Sequence, residues 1–328
     1  MANKLSFKGI WKVLKQAFNG FGDDKVLKLS AALAYYTVFS IGPLIIVVIY
    51  LAGIIYGREA IQGSIFGHIQ GLVGAEAATQ IQSMIKSAAL NTKGNFAAVV
   101  GVVTLVIGAT GVFGEIQESI NIIWNLKPKP KKGWVKMLVN RLLSFSVIVS
   151  LGFILLVSLV LTGLIEALMG RLQAYFPNIT VVLVYIINLL LTFAIITTLF
   201  GVIFKVLPDA IIKWRDVIVG SMVTAVLFML GKFAITFYIG TSDVGGTYGA
   251  AGSLVVLLLW VYYSSVILYF GAEFTKAYAA NFGSVIHPSE YAVWVKNIEV
   301  EEKQGSLQQL EEKKQEQNDT TGDHVKVT

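Results

Sequence analysis

Residues 29–56 read LSAALAYYTVFSIGPLIIVVIYLAGIIY, without one Asp, Glu, Lys or Arg. At a rise of about 1.5 Å per residue, such a helix is longer than the ~30 Å hydrocarbon core of a bilayer. Soluble cores rarely contain even one stretch of this kind, and here comparable stretches recur as far as Ala280. Spans are expected near residues 29–55, 96–114, 138–165, 179–204, 217–240 and 250–275, each bounded by charge, Pro or Gly. Whole-chain composition agrees, because 328 residues that are 55% hydrophobic and 14% charged make a poor soluble protein. The expected fold class is therefore all-α, a polytopic membrane protein of about six transmembrane helices. The first apolar run begins too late and is too long for a cleavable signal peptide, so it is expected to stay as an anchor.

The charges show how the spans are oriented. Of 26 Lys and Arg, 21 fall in the N-terminal tail, residues 124–141, residues 205–215 and the tail from Lys276; Arg58, Lys86, Lys93, Arg171 and Lys232 are the rest. Basic connections mark the cytoplasmic side, which places both termini there. That topology accounts for the net charge of +6, and nucleic acid is not an expected partner. The chain has no cysteine, hence no disulfide framework, thiolate metal site or Cys nucleophile.

Three regions lie outside the spans. Residues 1–28 form a basic amphipathic segment, with Ile10, Leu14, Phe18 and Phe21 on one helical face and Lys8, Lys12 and Lys15 on the other, which suits an interfacial helix on anionic lipid headgroups. The outer connection 57–95 has helical apolar spacing at Ile61, Ile65, Ile69 and Val73 and again at Ile81 and Ile85, so short outer amphipathic helices are expected. Residues 29–280 make up the transmembrane domain and 281–328 a cytoplasmic tail. From about residue 299 that tail, EVEEKQGSLQQLEEKKQEQNDTTGDHVKVT, is too poor in apolar residues to fold alone and is expected to be disordered, available to a soluble partner. No internal repeat is evident.

Several polar features sit within or beside the spans. Gly101, Thr104, Gly108, Gly111, Glu115 and Glu118 share one helical stripe, which reads either as a small-residue packing seam or as a polar path lined by Glu115 and Glu118. Lys232 lies about fifteen residues into the fifth span, where a cation costs on the order of 3 kcal/mol unless it snorkels or is paired. Glu166 and Asp243 are its expected partners, and the alternative is a role in binding an anionic solute or headgroup. Glu273 and Lys276 are spaced for a local ion pair. Gly42 and Pro43 interrupt the first span and are hinge candidates. The Gly-rich stretch 240–253 reads as a flexible turn rather than a phosphate loop. The glycine stripes fit packing within a subunit or between copies of a homo-oligomer equally well.

Enzymatic signatures are missing from the sequence. His68, His287 and His324 have no metal-ligand spacing, and there is no GxSxG, Walker A or GxGxxG motif, so no catalytic residue, metal or cofactor is assigned. Four strings then bear on identity: LSAALAYYTVFSIGPLIIVVIYLAGIIYG from Leu29, ATGVFGEIQESINIIW from Ala109, LPDAIIKWRDVIVGSMVTAVLFMLGKF from Leu207, and YGAAGSLVVLLLWVYYSSVILYFGAEFTKAYA from Tyr248. In that order they resemble the YihY, or virulence factor BrkB, family of bacterial inner-membrane proteins over residues 10–285. The resemblance implies about six spans. It also implies that Glu115, Glu118, Lys232, Arg215, Asp216 and Glu273 match the family's polar positions. Some members carried a ribonuclease BN label, which no residue set here supports.

Two functions follow as expectations. One is a transporter or lipid-handling protein for an anionic solute or lipid, with Lys232 attracting the anion, Glu115 and Glu118 lining the cytoplasmic end, and Arg215 with Asp216 or Glu273 with Lys276 as gate or tie. The other is a non-transporting scaffold for envelope assembly that acts through its tail.

Overall fold

The computed structural model describes residues 6–40, 79, 111–129, 177–242, 252–290 and 292–295. The chain divides into two compact units, Met1–Trp294 and Val295–Thr328, and the elements below belong to the first. Helix α1 (Phe7–Asp23) opens on Ser6, whose hydroxyl accepts from the Gly9 amide at 3.2 Å, satisfying one of the amides a helix start leaves bare. It closes at Asp24, and Lys25, in the left-handed region at φ 52°, turns the chain directly into α2 (Val26–Ser40). Helix α3 covers residues 111–123 and stops where Asn125 takes φ 55°. There follow β1 (Leu126–Pro128), α4 (Pro177–Val206), β2 (Ala210–Ile211), α5 (Trp214–Thr241), α6 (Gly252–Phe282), β3 (His287–Pro288) and β4 (Ala292–Trp294).

Among the described residues, Ile186–Val206, Trp214–Thr241 and Leu254–Phe282 are long and apolar enough to cross a membrane. The molecule is thus an all-α, multi-pass membrane protein with several long apolar helices. Many of its small hydroxyls are satisfied within their own helix: those of Ser30, Thr37, Ser40, Ser221, Ser265 and Thr275 each donate to the carbonyl four residues back.

Helices α5 and α6 approach through two reciprocal pairs. Thr275 occupies the space a Cβ would need at Gly220, and Thr224 does the same at Gly271. Van der Waals packing holds helices together where lipid offers no hydrophobic contrast, and small residues make close approach possible. The main core joins Leu33 of α2, Ile116, Ile120 and Ile123 of α3, Phe200 and Phe204 of α4, Val217 and Ala225 of α5, and Leu268 and Tyr269 of α6. Phe200 stacks on Phe204 at 6.1 Å and meets Phe228 edge-on at 5.8 Å, and Phe228 meets Trp260 edge-on at 5.8 Å. Outside this core, Ile218, Met222, Val226, Leu230, Phe233 and Phe237 of α5 are exposed at intervals of three or four residues. One exposed apolar stripe on a spanning helix is a lipid-facing surface.

The amphipathic helix α1 is placed differently from a helix that simply floats in the headgroups. Val13 and Ala17, each 1% exposed, pack with Phe274, Ala277 and Tyr278 of α6. Phe282 fills the space beside Gly9, and Phe18 and Phe21 meet Phe270 edge-on. Ile10, Trp11 and Phe18 stay largely exposed. The apolar arc is wide enough to serve both contacts, with its flank of Gly9, Val13, Ala17 and Gly20 seated on α6.

Candidate functional site

Helices α3, α4 and α6 finish, and α2 and α5 start, at one end of the bundle, and that basic end carries most of the described polar chemistry. It is tied in four places. Strand β1 pairs antiparallel with β4 and β2 with β3, so residues 286–290 and 292–294, within the expected tail, fold back with Ile286 and Ala292 buried. Asp209, in the turn after α4, is gripped by α3: Gln117 Nε2 donates to Oδ1 at 3.2 Å, Asn121 Nδ2 to Oδ2 at 3.0 Å, and the Asp209 amide to Asn121 Oδ1 at 2.9 Å. All three residues are buried, and a buried carboxylate with both oxygens engaged is a strong local constraint. The Trp124 indole, 1% exposed, donates to the Ala272 carbonyl at 3.1 Å. Asp216, in the first turn of α5, accepts from the Ser284 amide at 2.9 Å and the Ser284 hydroxyl at 2.6 Å. A carboxylate there also complements the helix dipole.

The residues singled out from sequence take distinct positions around these ties. Asp216 is buried and bound to Ser284, whereas its neighbour Arg215 is exposed and points away from the fold. Glu273 is 2% exposed, packed where Gly20 of α1 leaves room, with Oε1 lacking a hydrogen-bond partner among the described residues. Lys276 stands between two carboxylates, 3.9 Å from Glu273 and 3.5 Å from Asp24. Asp24, at the α1–α2 junction, thereby joins α1 to α6.

Glu115 is half-buried and accepts from Ser119 at 3.3 Å, beside the fully buried Tyr269. Glu118 is exposed. The described part of their stripe is the more open side of α3: Gly111 has only Tyr36 near it, at 3.5 Å from an added Cβ, while Ile116, Gln117, Ile120, Asn121 and Trp124 form the buried face. Gly101, Thr104 and Gly108 lie outside the described residues, as do the hinge candidates Gly42 and Pro43, the outer connection apart from Thr79, and the expected Lys232 partners Glu166 and Asp243.

Lys232 is half-buried on the second half of α5. At 100° per residue it falls between two surfaces, with Phe228 and Gly231, which meets Tyr263, on one side and the exposed Phe233 and Phe237 on the other. A long cationic side chain at such a border can reach either the bundle or the lipid.

Two residues that sequence reasoning passed over, Gln117 and Asn121, do the most to hold this end together. They are four apart on the face of α3 that also carries Ile120 and Trp124, so a polar pair on an otherwise apolar helical face was the available signal. Among the described residues no group of three or more His, Cys, Asp or Glu could hold a metal.

Long apolar helices, internally satisfied hydroxyls and a charged end closed by hydrogen bonds define a multi-pass α-helical membrane protein. Residues 17–290 match the virulence factor BrkB family, and the chain belongs to it. It is a multi-pass protein of the bacterial inner membrane. Similar proteins include a UPF0761 membrane protein of Alcanivorax borkumensis, 28% identical over 277 residues that make up 83% of this chain and 61% of the relative. Another, from Ralstonia nicotianae, is 24% identical over 261 residues, 79% of this chain and 56% of the relative. A third, from Pseudoalteromonas atlantica, is 25% identical over 254 residues, 77% of this chain and 81% of the relative. The chain therefore spans only about three fifths of the length of the first two. No solved structure matches it.

Proposed function

We propose that this protein handles an anionic lipid or solute in the inner membrane, with Lys232 as the group that meets the anion. The observation that carries the reading is the position of Lys232, a half-buried cation at the border of a lipid-facing stripe, four residues from Phe228, which packs against the core, and next to Phe233, which is 79% exposed. An ionisable residue at membrane depth is expensive, and its placement where a headgroup could reach it from the bilayer gives that cost a use. The tied basic end serves as a fixed frame, and the second half of α5, with Ile239 its one buried residue beyond Ala225, is the part that moves. In the full architecture about six spans enclose this path, both termini face the cytoplasm, and Pro43 is a second hinge.

The test is transbilayer movement of a labelled anionic lipid in liposomes containing the full chain. Movement that wild type supports and Lys232→Met abolishes at equal folded yield upholds the reading; movement unchanged in Lys232→Met removes it.

The cross-tied basic end also favours the rival reading, a non-transporting scaffold whose rigid frame presents its tail to a soluble partner. Deleting residues 299–328 separates the two, since a scaffold acting through that tail loses its cellular effect and a lipid-handling protein keeps it.

A further inference from the structure

We infer that the basic end holds a binding site for a diacyl phospholipid with an anionic headgroup, in the cleft formed by the end of α4, the β2 connection, the start of α5 and the segment returning after α6. The cleft has a volume of ≈ 660 Å³ and is lined by Lys205, Ile211, Ile212, Lys213, Trp214, Ser284, Val285 and His287. This deepens the proposed function, on whose reading of anionic-lipid handling it rests, but uses a site distinct from Lys232.

The cleft has two cations on its lining, and the acid nearby is buried. Lys205 donates to the Ile212 carbonyl and lies 5.8 Å from the centre of the Trp214 ring, which fixes its ammonium at the wall. Lys213 is the residue preceding α5, is exposed, and makes no side-chain capping bond there. Asp216, the nearby acid, is 3% exposed and its Oδ2 accepts both Ser284 donors, so it is buried and engaged behind the Ser284 wall rather than part of the lining. Two ammonium groups beside an exposed indole, with no acid facing them among the lining residues, suit a phosphate.

The surroundings specify a lipid phosphate. The cleft lies at the ends of two membrane-crossing helices, Ile186–Val206 and Trp214–Thr241, which is headgroup depth. Its rim is apolar, with Ile211 59%, Trp214 53% and Val285 67% exposed. From that rim an oblique ridge runs along α5 in steps of four residues: Trp214, Ile218, Met222 and Val226, all exposed. At 1.5 Å per residue the ridge extends about 18 Å into the membrane, close to the depth of one leaflet. A phosphate held by Lys205 and Lys213 would leave its acyl chains lying on this ridge, whereas a free phosphate would use none of it.

The experiment is native mass spectrometry of the full chain in detergent, with phosphatidylglycerol, phosphatidylcholine or inorganic phosphate added. Preferential retention of phosphatidylglycerol, weakened about fivefold by Lys213→Ala and also weakened by Met222→Ser on the ridge, is the expected result. Lys205→Met is the less clean variant, because it also removes the bond to Ile212. Equal retention of phosphatidylglycerol and phosphatidylcholine, or phosphatidylglycerol retention unchanged in Lys213→Ala, overturns the site. Displacement of the lipid by millimolar inorganic phosphate would mark a free-anion site and also overturn it. Retention is read without any movement of lipid. Loss of retention in Lys213→Ala therefore sustains the site even if Lys232→Met shows the transport reading to be wrong.

Discussion

The two halves of α5 are built by different means. In the first, Asp216, Val217, Gly220, Ser221, Thr224 and Ala225 are all buried, Asp216 is bonded to Ser284, and Gly220 and Thr224 interlock with Thr275 and Gly271. In the second, Ile239 is the one buried residue; it packs with Val256 and the partly buried Ile235, Val255, Leu259 and Trp260. One half is positioned by several directional bonds and reciprocal steric fits, the other by a thin apolar contact, the single approach of Tyr263 to Gly231, and lipid. Free energy of opening follows such differences, so a single helix can be frame at one end and moving part at the other.

Mutations can break or sharpen this contrast. The largest loss is expected from Asp209→Ala, which strips the acceptor from the Gln117 and Asn121 amides and should cost about 2–4 kcal/mol, read as a lowered unfolding midpoint in detergent. Next comes Gly271→Leu, which drives a side chain into Thr224 and should cost about 1–3 kcal/mol by the same measurement. Its counterpart in the second half, Gly231→Ala, runs into the phenol of Tyr263, hydroxyl and ring carbon alike, so the ring must swing aside, and should cost about 1–2 kcal/mol. A loss as large as that of Gly271→Leu would show the two halves to be equally tightly fitted.

Glu273→Gln should change stability by no more than about 1 kcal/mol in either direction, since the amide has the same shape beside Gly20 and Lys276 keeps Asp24. The smallest effect belongs to Phe237→Leu on the lipid-facing stripe, expected within about 0.5 kcal/mol because lipid replaces the lost contacts.

The sequence made the membrane class legible because hydrocarbon demands long uncharged helices, and the string at residues 29–56 has no soluble reading. It also pointed to Asp216, Glu273 and Lys276, because charges near span ends are conspicuous in an apolar chain. The partners of those residues were not legible. Asp24, Gly20 and Ser284 come from other elements, tens or hundreds of residues away in the chain, and nothing local marks Ser284 as the ligand of Asp216. The amphipathic pattern of α1 was plain, but its seat on α6 depends on Val13 and Ala17 matching a groove, and periodicity does not distinguish a lipid surface from a protein one. The four short strands escaped for a similar reason: two- and three-residue ladders such as Ala210–Ile211 with His287–Pro288 have no period to detect.

The chain has no cysteine, so pairs of introduced cysteines can carry spin labels without background. The decisive measurement is the pair of distance distributions from labels at exposed positions, Lys127 with Leu27 at the basic end and Tyr238 with Leu254 across the second half of α5, in nanodiscs with and without anionic lipid. A narrow, unchanged distribution is expected for Lys127 with Leu27 and one that shifts or broadens with anionic lipid for Tyr238 with Leu254. Distributions that are equally narrow and equally indifferent to lipid would contradict this contrast, and would leave the protein as a rigid scaffold.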